Sequence, residues 1–185
     1  MRGHDSDPPR IMVISGSART DGETATAIRH LRQHMGDSLD VVDLSAVPIR
    51  PFDYARTDDR DAFRAIIGKM VASEHIVFAT PVYWYAMSGL MKTFFDRLTD
   101  LLLDGEAKKI GRALGGRNVW VLATGTEPTL PPGFHEPFAR TAAYFGMVWR
   151  EAFYQCCGNG RALTAGDSSA ASELADRLLA AMDNR

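Results

Sequence analysis

Apolar residues recur along this chain in two alternating rhythms. Residues 10–15 (RIMVIS), 39–44, 75–80, 119–124 (VWVLAT) and 147–154 are short runs rich in aliphatic and aromatic residues, and they predict five buried strands. Between them the apolar positions return every three or four residues, the helical spacing. Thr24, Ile28, Leu31 and Met35 mark a helix over 23–35, ended by Gly36-Asp37. Phe63, Ile66, Ile67, Met70 and Val71 mark a second, with Asp58 or Asp59 as its cap. Ser88 is the expected N-cap of a third, whose stripe is Met87, Leu90, Met91, Phe94, Phe95, Leu98 and Leu102. Residues 134–145 predict a fourth, and 168–182, with Ala171, Leu174, Leu178 and Met182 inward, a fifth. Five strands alternating with five helices imply an α/β fold, a doubly wound parallel sheet with helices on both faces.

The intervening stretches read as loops. Pro81 lacks a backbone donor and biases Thr80 toward an extended conformation, so the third strand is expected to stop there. Residues 45–59 and 125–133 are proline-containing loops, and 104–118 (DGEAKKIGRALGGRN) is a polar, glycine-rich connector. Residues 10–185 form one domain, and residues 1–9 read as a flexible N-terminal tail without the apolar core of a signal peptide.

Composition narrows the function classes. A 185-residue chain that is 45% hydrophobic and 24% charged can bury a substantial core. Its net charge of −2 supplies no global field for nucleic acid or an anionic membrane. The apolar runs are too short for a membrane span. Two adjacent cysteines, Cys156 and Cys157, have no metal-ligand spacing and suit a reducing cytoplasm.

The candidate chemistry lies in two loops, each at the end of a predicted strand. Residues 16–22 (GSARTDG) carry neither GxGxxG nor GxxxxGK[ST], which removes the dinucleotide and nucleoside-triphosphate fingerprints. What remains is a glycine- and hydroxyl-rich loop opening a helix, whose N–H groups and dipole favour an anion. Ser17 and Thr24 offer hydroxyls and Arg19 a planar fork, a donor set suited to one terminal phosphate. The second loop, Val82-Tyr83-Trp84-Tyr85-Ala86, offers aromatics to a flat conjugated ring, where open α/β sheets bind ligands.

These two segments resemble those of the flavodoxin-like NAD(P)H-dependent FMN reductases, a family of small quinone, azo and nitro-compound reductases. Gly16-Ser17-Ala18-Arg19 with Gly22-Glu23-Thr24 is similar to the family's GSxRxxGNT phosphate loop. Residues 80–92 (TPVYWYAMSGLMK) with Asp96-Arg97 are similar to its TPVYWYxMSGxLKxFxDR segment. The resemblance covers roughly residues 10–155 and implies a flavodoxin-like five-stranded sheet of order 2-1-3-4-5. It also implies non-covalent FMN, NADPH or NADH as electron donor, a small electrophilic acceptor and often a homodimer. By position it implies that Ser17, Arg19 and Thr24 contact the FMN phosphate, and that Pro81, Val82, Tyr83 and Trp84 run along the isoalloxazine. Thr124 and Gly125 would line the other edge. Glu23 stands where the family usually has Asn; a carboxylate in a first helical turn suits the dipole but repels phosphate, so Glu23 is expected to face solvent or pair with an arginine.

Other residues have plainer readings. His30 and His34 lie one turn apart without a third ligand nearby in sequence, which predicts an exposed helix face rather than a metal site. Lys108, Lys109, Arg112 and Arg117 read as a solvated connector, or alternatively as a contact to pyridine-nucleotide phosphates. Asp96 and Arg97 are expected in a structural ion pair or an interface contact rather than as catalytic groups, and Cys156 and Cys157 as small packed hydrophobes. No residue is marked as a catalytic acid, base or nucleophile; a bound flavin would carry the chemistry. Two alternatives stand beside the reductase: a flavodoxin-type electron carrier and a flavodoxin-fold binding module without redox activity.

Overall fold

β1 (Ile11–Ser15) is buried at every residue, as a strand covered on both faces must be. In the computed structural model, which describes residues 10–55, 60–158 and 168–183, β1 pairs in parallel with β2 (Leu39–Asp43) and β3 (His75–Tyr83). A two-residue strand, β4 (Ala86–Met87), turns back antiparallel on β3. β5 (Asn118–Gly125) pairs with β3, and β6 (Val148–Cys156) with β5, both in parallel. The order is β2-β1-β3-β5-β6. Counting the parallel strands alone, this is the expected 2-1-3-4-5 arrangement.

Successive side chains of the central strands enter opposite layers, as the two-residue period requires. Ile11, Val13, Val77, Ala79, Trp120 and Leu122 pack with α1 (Glu23–Met35) and α6 (Ser169–Asp183). Met12, Ile14, Ile76, Phe78, Val119 and Val121 pack on the other face with α2 (Phe63–Ala72), α3 (Gly89–Arg97) and α5 (Glu136–Tyr144). Phe78 centres that second layer, its ring centroid 5.0 Å from Phe95 and 5.9 Å from Phe138.

The structure corrects two sequence expectations. β3 continues through Pro81 to Tyr83. The last β1 partner on β3 is Ala79, so beyond it β3 is an edge on that side, where a missing N–H breaks no ladder bond. The chain then reverses in a two-residue turn, with Trp84 at φ 50° and Tyr85 at φ 66°. The supposed connector 104–118 contains α4 (Gly105–Ala113), capped by Asp104, whose carboxylate accepts the Ala107 N–H at 2.8 Å. Its glycines mislead: a Cβ at Gly111 would lie 3.2 Å from Phe145 Cε1 and 3.4 Å from Leu101 Cβ, so that glycine serves close packing. At the start of α2, Asp58 and Asp59 lie outside the described residues, and Asp61 accepts the Phe63 N–H at 3.1 Å.

Asp61 also meets Arg97, whose side chain is fully buried at the end of α3. The guanidinium donates to Asp61, to Asp100 and to the Arg50 carbonyl, and lies over the Phe63 ring at 4.6 Å. This cluster ties the stretch before α2 to α3, in the structural role expected of Arg97. Asp96 pairs instead with Lys92 along the exposed helix surface.

Candidate active site

The site forms at the carboxyl ends of β1, β3, β5 and β6. After β1, the Gly16 N–H donates to the Ala79 carbonyl at 2.8 Å, and the chain then turns away. A Cβ at Gly16 would lie 2.8 Å from Met91 Cβ, so only glycine lets this loop rest on α3. Ser17 Oγ accepts the Arg19 N–H at 3.2 Å and donates to the Arg19 carbonyl at 3.0 Å, closing a tight turn. Gly22 then stands at the N-cap of α1 and brings no side-chain cap. Gly22, Glu23 and Thr24 border the cleft, so first-turn N–H groups without a side-chain cap are offered to an anion there.

Ser88 fastens this loop to the aromatic hairpin. Its N–H donates to Thr80 Oγ1 at 3.2 Å, its hydroxyl donates to the Gly16 carbonyl, and the same oxygen accepts the Met91 N–H at 3.1 Å. The expected N-cap of α3 is therefore also the joint between the two loops. Thr24 Oγ1 and Thr124 Oγ1, 2.7 Å apart and buried, join α1 to the end of β5 in the same way.

The cleft so enclosed has a volume of about 340 Å³, within the range of small-molecule sites. Eight of the nine residues expected at the site line it: Ser17, Arg19 and Thr24 from the first loop and α1, Pro81, Val82 and Tyr83 along the hairpin, and Thr124 and Gly125 at the end of β5, where Thr124 adjoins both Pro81 and Thr24. The ninth, Trp84, does not. It stands 93% exposed at the hairpin tip and lines a smaller neighbouring cavity of about 210 Å³.

Four further residues, Gly22, Glu23, Thr126 and Cys157, complete the wall. Cys157 follows the end of β6, and the rule that ligands gather at strand carboxyl ends was the signal that could have found it. Cys156 is exposed and Cys157 half-buried, so neither is the packed core residue expected. Burial pushes the Cys157 thiol up, and the nearby Glu23 carboxylate adds to this, to about 11. Glu23 thus turns toward the cleft instead of pairing with an arginine, because the first turn of α1 faces that way. Arg19 is mostly exposed, and its Nε donates to Asp21 Oδ1 at 3.3 Å.

The remaining polar signals lie elsewhere. His30 is buried, not exposed, and its Nε2 lies 2.8 Å from Ser172 Oγ between α1 and α6. Among the described residues no three His, Cys, Asp or Glu side chains are grouped to hold a metal ion. Arg117 precedes β5, at the sheet end opposite the cleft, and donates to the Val71 carbonyl at 2.8 Å and 3.0 Å. Among the described residues no helix is long and apolar enough to cross a membrane.

Comparison with known proteins bears on the family and the fold. YwqN of Bacillus subtilis is 29% identical over 122 residues, which are 63% of this chain and 66% of that protein. The FMN reductase (NADPH) of Escherichia coli is 29% identical over 119 residues, 63% of this chain and 56% of the enzyme. The chain thus spans between half and two thirds of the length of these curated relatives. In structure it is similar to the Trp repressor binding protein of Bacillus subtilis, with a TM-score of 0.69 at 24% identity over 91% of this chain and 97% of the other. It is also similar to general stress protein 14 of Treponema denticola, solved in complex with FMN, with a TM-score of 0.63 at 21% identity over 95% and 98%. These two likenesses establish the flavodoxin-like fold. The family model for NADPH-dependent FMN reductases matches residues 9–128, from the start of β1 past the end of β5, and the chain belongs to that family.

Proposed function

We propose that this protein is an FMN-dependent NAD(P)H oxidoreductase that reduces a small electrophilic acceptor, a quinone, azo or nitro compound or free flavin. The observation that carries the reading is one cleft with two characters. Its α1 end offers uncapped N–H groups, the Ser17 and Thr24 hydroxyls and the Arg19 guanidinium, a donor set for a phosphate. Its hairpin side offers the flat run Pro81, Val82 and Tyr83. A Cβ at Gly125 would stand 2.8 Å from Tyr154 Oη and 3.3 Å from Val82 Cβ, so only glycine lets the end of β5 pack against both. A phosphate joined to a planar ring fits such a cradle.

In this reading Ser17, Arg19 and Thr24 hold the FMN phosphate, Pro81, Val82 and Tyr83 lie along the isoalloxazine, and Thr124 and Gly125 bound its other edge. Trp84 stands beyond the ring, toward the acceptor. When bound, FMN supplies the redox chemistry, so that NAD(P)H, a proton and a quinone become NAD(P)+ and a hydroquinone, two electrons given and two taken. The chain's own part is to orient the ring, exclude bulk water from one face and leave the other open. The free thiols accord with a cytoplasmic setting. A homodimer belongs to the same reading. An apolar groove of about 570 Å³ beside α4, with Leu101, Leu102, Tyr144 and Phe145, is a surface a second copy would cover, and sedimentation tests it.

The deciding experiment is the absorbance spectrum of the purified protein, before and after adding FMN, followed by anaerobic titration with NADH and NADPH. Bleaching of the bound flavin by a nicotinamide, and its return on adding a quinone, is the expected result. A protein that shows no spectral shift with FMN would refute the reading. Flavin reduced only by a protein partner would favour the electron-carrier alternative.

A further inference from the structure

The two-residue turn joining β3 to β4 has the wrong residues for its conformation. Turns of this length favour Asn-Gly or glycine, because both central residues sit at positive φ. Here both are bulky aromatics, Trp84 at 50° and Tyr85 at 66°, a conformation unfavourable for side chains of that size. Core packing does not offset it, since Trp84 is 93% and Tyr85 68% exposed. The side chains instead wall a cavity of about 210 Å³ together with Val82, Thr126, Glu127 and Tyr154. Val82 and Thr126 also line the main cleft, so the two spaces adjoin. The far wall is braced, with Tyr154 Oη donating to the Glu127 carbonyl at 2.8 Å.

The cavity is also charged in one sense. Among the described residues Glu127 is the one acidic side chain that lines it, and no Lys or Arg does. Burial raises the Tyr154 phenol above its ordinary value, and Cys156, Cys157 and Glu127 push it further in the same direction. Anions are disfavoured in this corner.

We propose that this cavity is the subsite for the electron acceptor, that Trp84 and Tyr85 stack on a flat aromatic acceptor, and that Glu127 selects against acceptors carrying negative charge. The inference rests on the FMN reading above. It accounts for the strained turn: the aromatics are held where the hairpin would fold better without them, because the ligand needs their faces.

The test compares a neutral naphthoquinone with a naphthoquinone sulfonate in the FMN-loaded protein. The neutral quinone is expected to have the lower KM. Glu127→Gln should lower KM for the sulfonate roughly fivefold, the effect of removing one nearby like charge. The same change should lower KM for the neutral quinone far less, so that the ratio of the two KM values falls. Trp84→Gly should raise KM for both quinones while keeping or raising the melting temperature, since glycine relieves the turn. A ratio of KM values unmoved by Glu127→Gln, or quinone KM values unmoved by Trp84→Gly, overturns the subsite. Failure of the wild-type flavin to be reduced by NAD(P)H without an acceptor overturns the FMN reading itself, and that acceptor-free arm shows which has failed.

Discussion

Thr24 Oγ1 lies 2.7 Å from Thr124 Oγ1, a buried hydrogen bond that fastens the first turn of α1 to the end of β5. The two residues are 100 positions apart, and both border the cleft. Replacing one leaves the other hydroxyl buried and unpaired, which costs about 1–3 kcal/mol, whereas replacing both with an isosteric apolar pair can be nearly neutral. Thr24→Val and Thr124→Val should each destabilise the fold, and the double variant should lose less than the sum of the two. Urea denaturation of the four proteins in a double-mutant cycle measures the coupling, and strict additivity would count against this bond.

Arg19 and Glu23 place opposite charges at the same end of the cleft. Arg19→Ala should weaken FMN by roughly 5–30-fold, the effect of losing an exposed charge-assisted contact. Riboflavin, which lacks the phosphate, should be little affected. Melting should hardly change, because the Arg19 side chain is 65% exposed. Glu23→Gln should act in the opposite direction, tightening FMN and leaving riboflavin alone. Fluorescence titration of both flavins reads all four effects.

Cys157 carries a pH signature. Burial and the Glu23 carboxylate raise its thiol from 9.0 to about 11 in the folded protein. The unfolded chain releases that proton first, so stability is unaffected below about pH 9 and falls as pH rises between 9 and 11. Cys157→Ala should flatten this limb of the stability curve. Under native conditions at pH 8, iodoacetamide should modify the exposed Cys156 well before Cys157, an order that peptide mass spectrometry resolves.

Arg97 and Asp61 form a buried ion pair remote from the cleft. Burial pushes Asp61 up, but the hydrogen bond from Arg97 and the N–H groups of Arg50 and Phe63 outweigh it and hold the carboxyl below its ordinary 3.8. The stability this supplies is present above about pH 4 and is lost as pH falls through the lowered value. Arg97→Ala should destabilise by about 3–5 kcal/mol, since it removes the buried cation shared by Asp61 and Asp100 and leaves Asp61 with the half-exposed Arg50 at 3.8 Å. Any flavin still bound should show an unchanged spectrum, which separates this scaffold role from the site.

The strands and most helices were legible because a parallel sheet covered on both faces must be written as short continuous apolar runs, and its helices as single stripes. The Ser88 cap, and the cleft-lining Ser17, Arg19, Thr24 and Pro81, could be named because they are local in sequence and stand at strand ends. The hairpin was not legible, since Trp84-Tyr85 carries no turn signal and its backbone is held by β3, β4 and Ser88 against the preference of its residues. α4 was hidden in part by Gly111, whose purpose, contact with Phe145 and Leu101, exists only after folding.

Residues near in the chain determined the order of elements and the two loops at which a phosphate and a flat ring could be held. Only the tertiary structure decided which groups share the cleft. It brought Cys157 from the last strand to the side of Glu23 and paired Thr24 with Thr124. It set Trp84 outside the main cleft and buried His30 against Ser172. The physical reason is that periodicity reports which face of an element is apolar, whereas the partner of a polar side chain is chosen by strand order and register, which no local pattern encodes.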